Sequence, residues 1–371
     1  MAGPVVIAAG GTGGHIFPAQ SLAQELAKRG RRVVLMTDDR GHNYAQAFPQ
    51  AEIVTIKSAT FADRGLVGKG LAVMRLGAGA LAAYRALGRL KPSVVVGFGG
   101  YPALPTMFAA ARRGVPSIVH EQNAVLGRVN RWLAPAVTRI ASSFRHLVNL
   151  DPLLEARVSV TGNPVRAAVL EQKRAYAPPT AEGRFNLLVF GGSQGARVFS
   201  TLVPEAIAKL PEALRKRLDL TQQCRPEDLE AAQARYAAMG LKPTVAPFFV
   251  GMGQRLAAAH LVIARAGAST VTELCAIGRP AILVPYPFAM DDHQTANAQE
   301  MADAGAAWAF AEKGLTAEAL AEKIADLARN PTLLEAAAAK ALSLGRSDAA
   351  AGLADLVEEV GGLRVSASQG A

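Results

Sequence analysis

Two apolar runs, each ending in a cluster of glycines, constrain this chain more than any other feature. Val5-Val6-Ile7-Ala8-Ala9 leads into Gly10-Gly11-Thr12-Gly13-Gly14-His15, and Asn186-Leu187-Leu188-Val189-Phe190 leads into Gly191-Gly192-Ser193-Gln194-Gly195-Ala196. Each pattern predicts a buried strand, a tight turn and the start of a helix. Glycines let backbone amides approach an anion closely, and the helix N-terminus adds the positive end of its dipole. The two loops start 181 residues apart. Twin α/β units, each with an anion-ready turn, are expected to flank a cleft.

Strand and helix patterns alternate through both halves, which predicts parallel, doubly wound sheets. The expected strands of the first half are Val5–Ala9, Val33–Thr37, Ile53–Ile56, Val94–Gly97 and Ser117–His120. Those of the second are Asn186–Phe190, Leu218–Gln222, Val245–Pro247, Leu261–Ala264 and Ala281–Val284. The first helix is expected to begin near Pro18, since proline suits a first helical turn. The join falls near Gly162-Asn163-Pro164, giving domains over 1–163 and 164–363. The small, polar tail over 364–371 is expected to be disordered.

A chain of 371 residues suits two domains, and its 50% hydrophobic but 6% aromatic content predicts an aliphatic core. The net charge of +10 favours anionic partners: phosphates, nucleic acid or acidic lipid headgroups. Nucleic acid is set aside because the aromatic residues are scattered without a base-stacking module. The two cysteines, Cys224 and Cys275, lie far apart without metal-like spacing, which suits a reducing compartment. No charged leader precedes an apolar stretch, so no signal peptide is expected. No apolar run reaches the roughly 18–20 residues of a spanning helix.

His15 stands where the first glycine loop meets its helix. An imidazole there can accept a proton near neutral pH, which makes it the first candidate base. A third glycine turn, Gly97-Phe98-Gly99-Gly100-Tyr101, follows the fourth strand. The dinucleotide fingerprint needs a further glycine that Gly11-Thr12-Gly13-Gly14-His15-Ile16 lacks, although Asp38 and Asp39 keep that reading open. A P-loop lysine is absent from all three turns.

The stretch from Arg265 to Ala298 is dense in polar groups between apolar elements. Ala268-Ser269-Thr270-Val271-Thr272-Glu273 opens a helix after a strand, with amides and hydroxyls suited to phosphate. Glu273, about one turn in, suits the vicinal hydroxyls of a ribose. Gln294 and Asn297 suit sugar hydroxyls, because an amide both donates and accepts. Asp291, Asp292 and His293 are consecutive, which is poor geometry for a metal on one helix face, so no metal and no cofactor are expected.

Gly10–His15, Gly97–Tyr101, His120-Glu121-Gln122-Asn123, Gly162-Asn163-Pro164-Val165-Arg166, Gly191–Ala196, Ala268–Glu273 and the Pro285–Ala298 stretch occur in this order along nearly the whole chain. Together they resemble the MurG family, the bacterial N-acetylglucosaminyltransferases that convert lipid I to lipid II. The resemblance implies a GT-B fold of two Rossmann-like domains with parallel sheets facing a central cleft. It implies UDP-N-acetylglucosamine as donor and an undecaprenyl-linked muramyl-pentapeptide lipid as acceptor. It further implies peripheral attachment to the cytoplasmic face of the cell membrane, and cell-wall synthesis proteins as partners. Other GT-B UDP-sugar transferases and UDP-sugar epimerases are the rival readings.

Carried over to this sequence, the resemblance puts Thr12, Gly13 and Gly14 near the donor and Asn123 on its sugar. Arg166 and Ser193 match positions near the diphosphate. Phe249 matches a position whose backbone meets uracil; the family commonly has an aliphatic residue there, and a main-chain contact survives that change. Ala268, Ser269, Thr270, Val271 and Thr272 cover phosphate and ribose, Glu273 takes the ribose, and Gln294 reads the N-acetylglucosamine hydroxyls. Pro287–Asp292 is slightly longer than in some members. Glu121 is the second candidate base. Leu66–Lys91 intersperses Leu66, Val67, Leu71, Val73, Met74, Leu76 and Leu81 with Lys69, Arg75, Arg85, Arg89 and Lys91, a pattern that fits an anionic membrane surface.

Overall fold

Every strand pair among the described residues is parallel. The computed structural model describes residues 2–11, 13–38, 47–58, 66–192 and 195–363, and over 66–73 the helix without its side chains. Thr12, Ser193 and the 364–371 tail therefore lie outside the described residues.

The chain divides into two units, Met1–Arg166 with Ser347–Ala371, and Ala167–Arg346. Unit 1 holds β1 (Val5–Ala8), β2 (Val33–Thr37), β3 (Ala51–Thr55), β4 (Val94–Gly97), β5 (Ser117–Glu121), β6 (Arg139–Ser142) and β7 (Val158–Val160). They form one sheet in the order β3-β2-β1-β4-β5-β6-β7. Between them run α1 (Gly13–Lys28), α2 (Leu66–Leu90), α3 (Gly100–Arg112) and α4 (Arg128–Leu133). Unit 2 holds β8 (Phe185–Phe190), β9 (Leu218–Gln223), β10 (Thr244–Ala246), β11 (Leu261–Ala264), β12 (Ala281–Leu283) and β13 (Ala307–Ala309), ordered β10-β9-β8-β11-β12-β13.

Central strands are buried on both faces, which is why they read as unbroken apolar runs. The period of two splits each run between two cores. Val5, Ile7 and Ala9 pack with Ile16, Leu22 and Leu26 of α1, while Val6 and Ala8 pack with Leu87 of α2 and Met107 of α3.

In each sheet the strand order reverses beside the strand that carries the glycine run. The reversal lies between β1 and β4 in unit 1 and between β8 and β11 in unit 2. Ligands of open α/β sheets bind outside the carboxyl ends of strands at such a switch point. The register sets Ala8 beside Gly97 and Phe190 beside Ala264. Each switch point is thus bordered by two of the turns singled out in the sequence.

Three features differ from the expectation. The helix Ala349–Val360 belongs to unit 1 and not to a domain over 164–363. Its Leu353, Ala354 and Val357 complete the core beneath α1, and Glu358 pairs with Arg29 (3.0 Å) and Arg31 (2.7 Å). An apolar helical stripe shows that a face must be covered without showing which sheet provides it. Next, α1 begins at Gly13 and encloses Pro18, because the helix grows directly out of the glycine turn. Lastly, β6, β7 and β13 went unexpected.

Candidate active site

Glycine is required at the first turn by close packing. A Cβ on Gly10 would lie 2.7 Å from Pro102, and Gly11 has φ +90°. A Cβ on Gly13 would lie 2.8 Å from the Phe17 ring. That ring in turn seats the Arg166 guanidinium, 4.5 Å above its centroid. Gly13 and Arg166 are therefore joined through one aromatic side chain, 153 positions apart in the chain. His15 reaches the turn after β4, where a Cβ on Gly100 would stand 3.4 Å from its Cε1. The two turns bordering the switch point meet at this imidazole.

Behind them lies a buried polar brace. His120 Nε2–H donates to the Gly162 carbonyl at 3.1 Å, and its Nδ1 accepts from Gln122 Nε2 at 3.1 Å. Gln122 also donates to the Phe98 carbonyl at 3.0 Å, fastening the end of β5 to the end of β4. Burial drives the His120 pKa down to about 4, helped by the neighbouring His15, while the Gly162 bond opposes the shift. His120 is a neutral structural histidine.

Glu121 does not match its reading as the second candidate base. It is buried, and its carboxylate accepts from the Asn123 and Gly127 backbone N–H groups and from the Asn123 and Asn130 side chains, at 2.8–3.2 Å. Burial pushes its pKa up, and the four donors pull against that shift. Its acceptor positions are occupied in holding the 123–130 segment. Asn123 is half-buried and held in place by Glu121.

In unit 2 the Gly191–Gly192 turn is equally tight. A Cβ on Gly191 would lie 2.3 Å from the Ala196 nitrogen, and Gly192 has φ +86°. The Gly191 N–H donates to Gln223 Oε1 at 3.1 Å. That amide is therefore engaged within the protein and is not one of those offered to an anion. Phe249 is buried with its ring 4.3 Å from the Arg255 guanidinium.

Across the switch point, Gly267 caps the Ala268–Ile277 helix in extended conformation. Val271 is buried, and Thr270 lies with Ser269 in the first turn, where backbone N–H groups have no intrahelical partner. The Ser269 Oγ is buried without a hydrogen-bond partner among the described residues, an orphan that a phosphate oxygen would satisfy. Thr272 Oγ1 instead donates back to the Ala268 carbonyl at 2.9 Å. Glu273 is nearly buried on the same helix. At the far end, Gly278 closes the helix at φ +73°. Beyond it the buried Arg279 donates to the carbonyls of Leu256, Ala257, Ile277, Gly278 and Arg174, and burial lowers its pKa to about 10.

Gln294 Oε1 accepts from the backbone N–H groups of Ala266 (3.2 Å) and Tyr286 (3.0 Å). Its orientation is thereby fixed, and it offers a ligand the NH2 group only. Asn297 differs from its expected sugar-facing role: it is fully buried, donating to the Ala266 carbonyl at 3.0 Å. Asp291 and Asp292 both have φ +52°, and Asp292 accepts from Thr295 Oγ1 at 2.7 Å. Among the described residues no His, Cys, Asp and Glu side chains group as a metal site.

Residues 5–142 match the glycosyltransferase family 28 N-terminal domain and residues 186–358 the C-terminal domain of the same family. Over 97% of its length the chain is 52% identical to 95% of a Rhodospirillum centenum protein, the UDP-N-acetylglucosamine–N-acetylmuramyl-(pentapeptide) pyrophosphoryl-undecaprenol N-acetylglucosamine transferase. The chain belongs to the MurG family. The Acinetobacter baumannii MurG crystal structure superposes with a TM-score of 0.79 at 32% identity, covering 96% of this chain and 99% of that one. The two parallel-sheet units are accordingly a GT-B fold. A UDP-GlcNAc 2-epimerase from Neisseria meningitidis shares that fold with a TM-score of 0.66 at 13% identity, over 97% of this chain and 100% of its own.

Within this MurG-family chain, unit 1 also carries an exposed apolar face. Phe108 of α3 stacks on Trp132 of α4 at 6.0 Å, and Trp132 is 60% exposed. Met74 and Leu81 of α2 are also exposed. Arg112 lies over Phe108 at 5.9 Å and Arg113 over Tyr84 of α2 at 3.8 Å. Leu66, Val67, Lys69, Leu71 and Val73 belong to the expected membrane patch, but their side chains lie outside the described residues. Among the described residues no helix is long and apolar enough to cross a membrane.

Sequence reading assigned no role to Gln122, Gln223, Asn130 or Arg279. For Gln122 and Gln223 the available signal was a polar residue where a strand ends, as in Ser117-Ile118-Val119-His120-Glu121-Gln122 and Leu218-Asp219-Leu220-Thr221-Gln222-Gln223.

Proposed function

We propose that this enzyme transfers N-acetylglucosamine from UDP-N-acetylglucosamine to the 4-hydroxyl of the muramyl unit of lipid I, giving lipid II for peptidoglycan synthesis. One observation carries the reading: 52% identity over nearly the whole chain to a transferase of that name. The site geometry supports its details. The acceptor oxygen forms a bond to the anomeric carbon as the bond from that carbon to the UDP oxygen breaks, inverting the centre. His15 takes the proton of the attacking hydroxyl. Arg166, Ser269 and the N-terminus of the Ala268–Ile277 helix meet the charge that develops on the leaving diphosphate. Glu273 accepts from the ribose hydroxyls, the backbone at Phe249 reads uracil, and the Gln294 NH2 donates to the sugar.

The acceptor is a lipid, and the α2–α3–α4 face fits an anionic bilayer: exposed aromatic and aliphatic groups fringed by arginine. Because UDP-sugars are cytosolic, the protein works at the cytoplasmic face of the membrane. Incubation with labelled UDP-N-acetylglucosamine and a short-chain lipid I analogue tests the reading. Transfer of label to the analogue is expected. Epimerised or hydrolysed sugar with no transfer would overturn it in favour of the epimerase reading.

A further inference from the structure

Gln223 closes β9 with its side chain 5% exposed. Its Oε1 accepts the Gly191 N–H at 3.1 Å, and its Nε2 donates to the carbonyls of Gly192 (3.0 Å) and Pro247 (3.1 Å). In the strand order β10-β9-β8, one central side chain therefore grips the turns that follow both neighbours. Two residues beyond Pro247, the Phe249 ring also packs against Arg255.

We propose that Gln223 is a positioning residue that sets the spacing between the glycine turn for the diphosphate and the backbone that reads the base. It thereby contributes to nucleotide specificity. The inference rests on the donor reading above, including the contact of uracil with the backbone at Phe249. The chemistry of the bracket selects glutamine. One acceptor faces an N–H and two donors face carbonyls, a set that a carboxylate or an apolar group of equal size cannot match. Fixing both turns before binding removes an ordering cost from association. Uracil and cytosine exchange donor and acceptor at adjacent positions of one ring edge. Telling them apart through a backbone contact requires that the backbone be held in place.

The test compares wild type with Gln223→Met, which keeps the volume, and Gln223→Asn, a milder change too short to reach both turns. Calorimetry with UDP and with CDP, and steady-state kinetics with UDP-N-acetylglucosamine, are measured on variants shown folded by circular dichroism. Gln223→Met is expected to weaken UDP binding about tenfold. The preference for UDP over CDP is expected to shrink, and KM to rise with kcat changed less than about threefold. A variant with unchanged UDP affinity and unchanged UDP-to-CDP preference would overturn the proposal and leave the donor reading intact. Wild-type protein that binds no UDP would overturn both.

Discussion

The His15 ring lies against Gly100, with its Cε1 3.4 Å from where a Cβ on that glycine would stand. Gly100 takes φ +71°, a backbone conformation that favours glycine whatever the space around it. This contact links the candidate base to the strand on the other side of the switch point.

As a base, His15 is expected to contribute about 10²–10⁴-fold to turnover. His15→Gln keeps hydrogen bonding and volume but removes basicity. It should lower kcat within that range while KM for UDP-N-acetylglucosamine changes little. Gly100→Ala, which strains the turn beside the ring at φ +71°, should lower kcat in the same direction. Near-normal kcat in His15→Gln, with chemistry rate-limiting, would assign the residue to positioning alone.

Gln294 presents only its NH2 group because two backbone N–H groups hold its oxygen. Gln294→Glu retains those two bonds and exchanges the outward donor for an acceptor. It should raise KM for UDP-N-acetylglucosamine at least about tenfold while UDP binds as before. Parallel losses for UDP and for the nucleotide sugar would remove Gln294 from the sugar pocket.

The arginine-fringed apolar face predicts reversible, salt-sensitive attachment to anionic vesicles, since exposed charges are screened within about 8–10 Å at ordinary ionic strength. Sedimentation with phosphatidylglycerol vesicles should capture wild type at low salt. Trp132→Ser combined with Leu81→Ser should weaken capture without altering UDP affinity. Binding that ignores lipid charge would contradict this assignment.

His120 remains neutral in the fold down to about pH 4, whereas in the unfolded chain it protonates near its ordinary value of 6.5. As pH falls below 6.5 the unfolded state takes up a proton that the folded state refuses, so stability falls. The loss from this residue between pH 7.5 and 5 is about 2 kcal/mol. Urea melts of wild type and His120→Gln at both pH values isolate it, because other titrating groups are common to the two proteins. Identical pH dependence in both would show that His120 does not carry this effect.

The sequence alone determined the parallel α/β plan, because strands buried on both faces must be written as unbroken apolar runs. It also located the glycine-rich turns that follow β1, β4 and β8, since positive φ and close packing leave a glycine signature. Tertiary structure decided what those turns are tied to. Gln223 grips Gly191 and Pro247, which are 56 positions apart in the chain. Glu121 became a bracket because the turn after β5 folds the donors of the adjoining 123–130 segment around its carboxylate, and Asn297 a buried anchor because the fold brings the Ala266 carbonyl, 31 positions away, within its reach. The helix Ala349–Val360 joined unit 1 because that sheet has the uncovered face. Local patterns record what each segment must bury or bend. A polar side chain's role depends on which partners the completed fold brings within hydrogen-bonding reach, and linear order does not encode that distance.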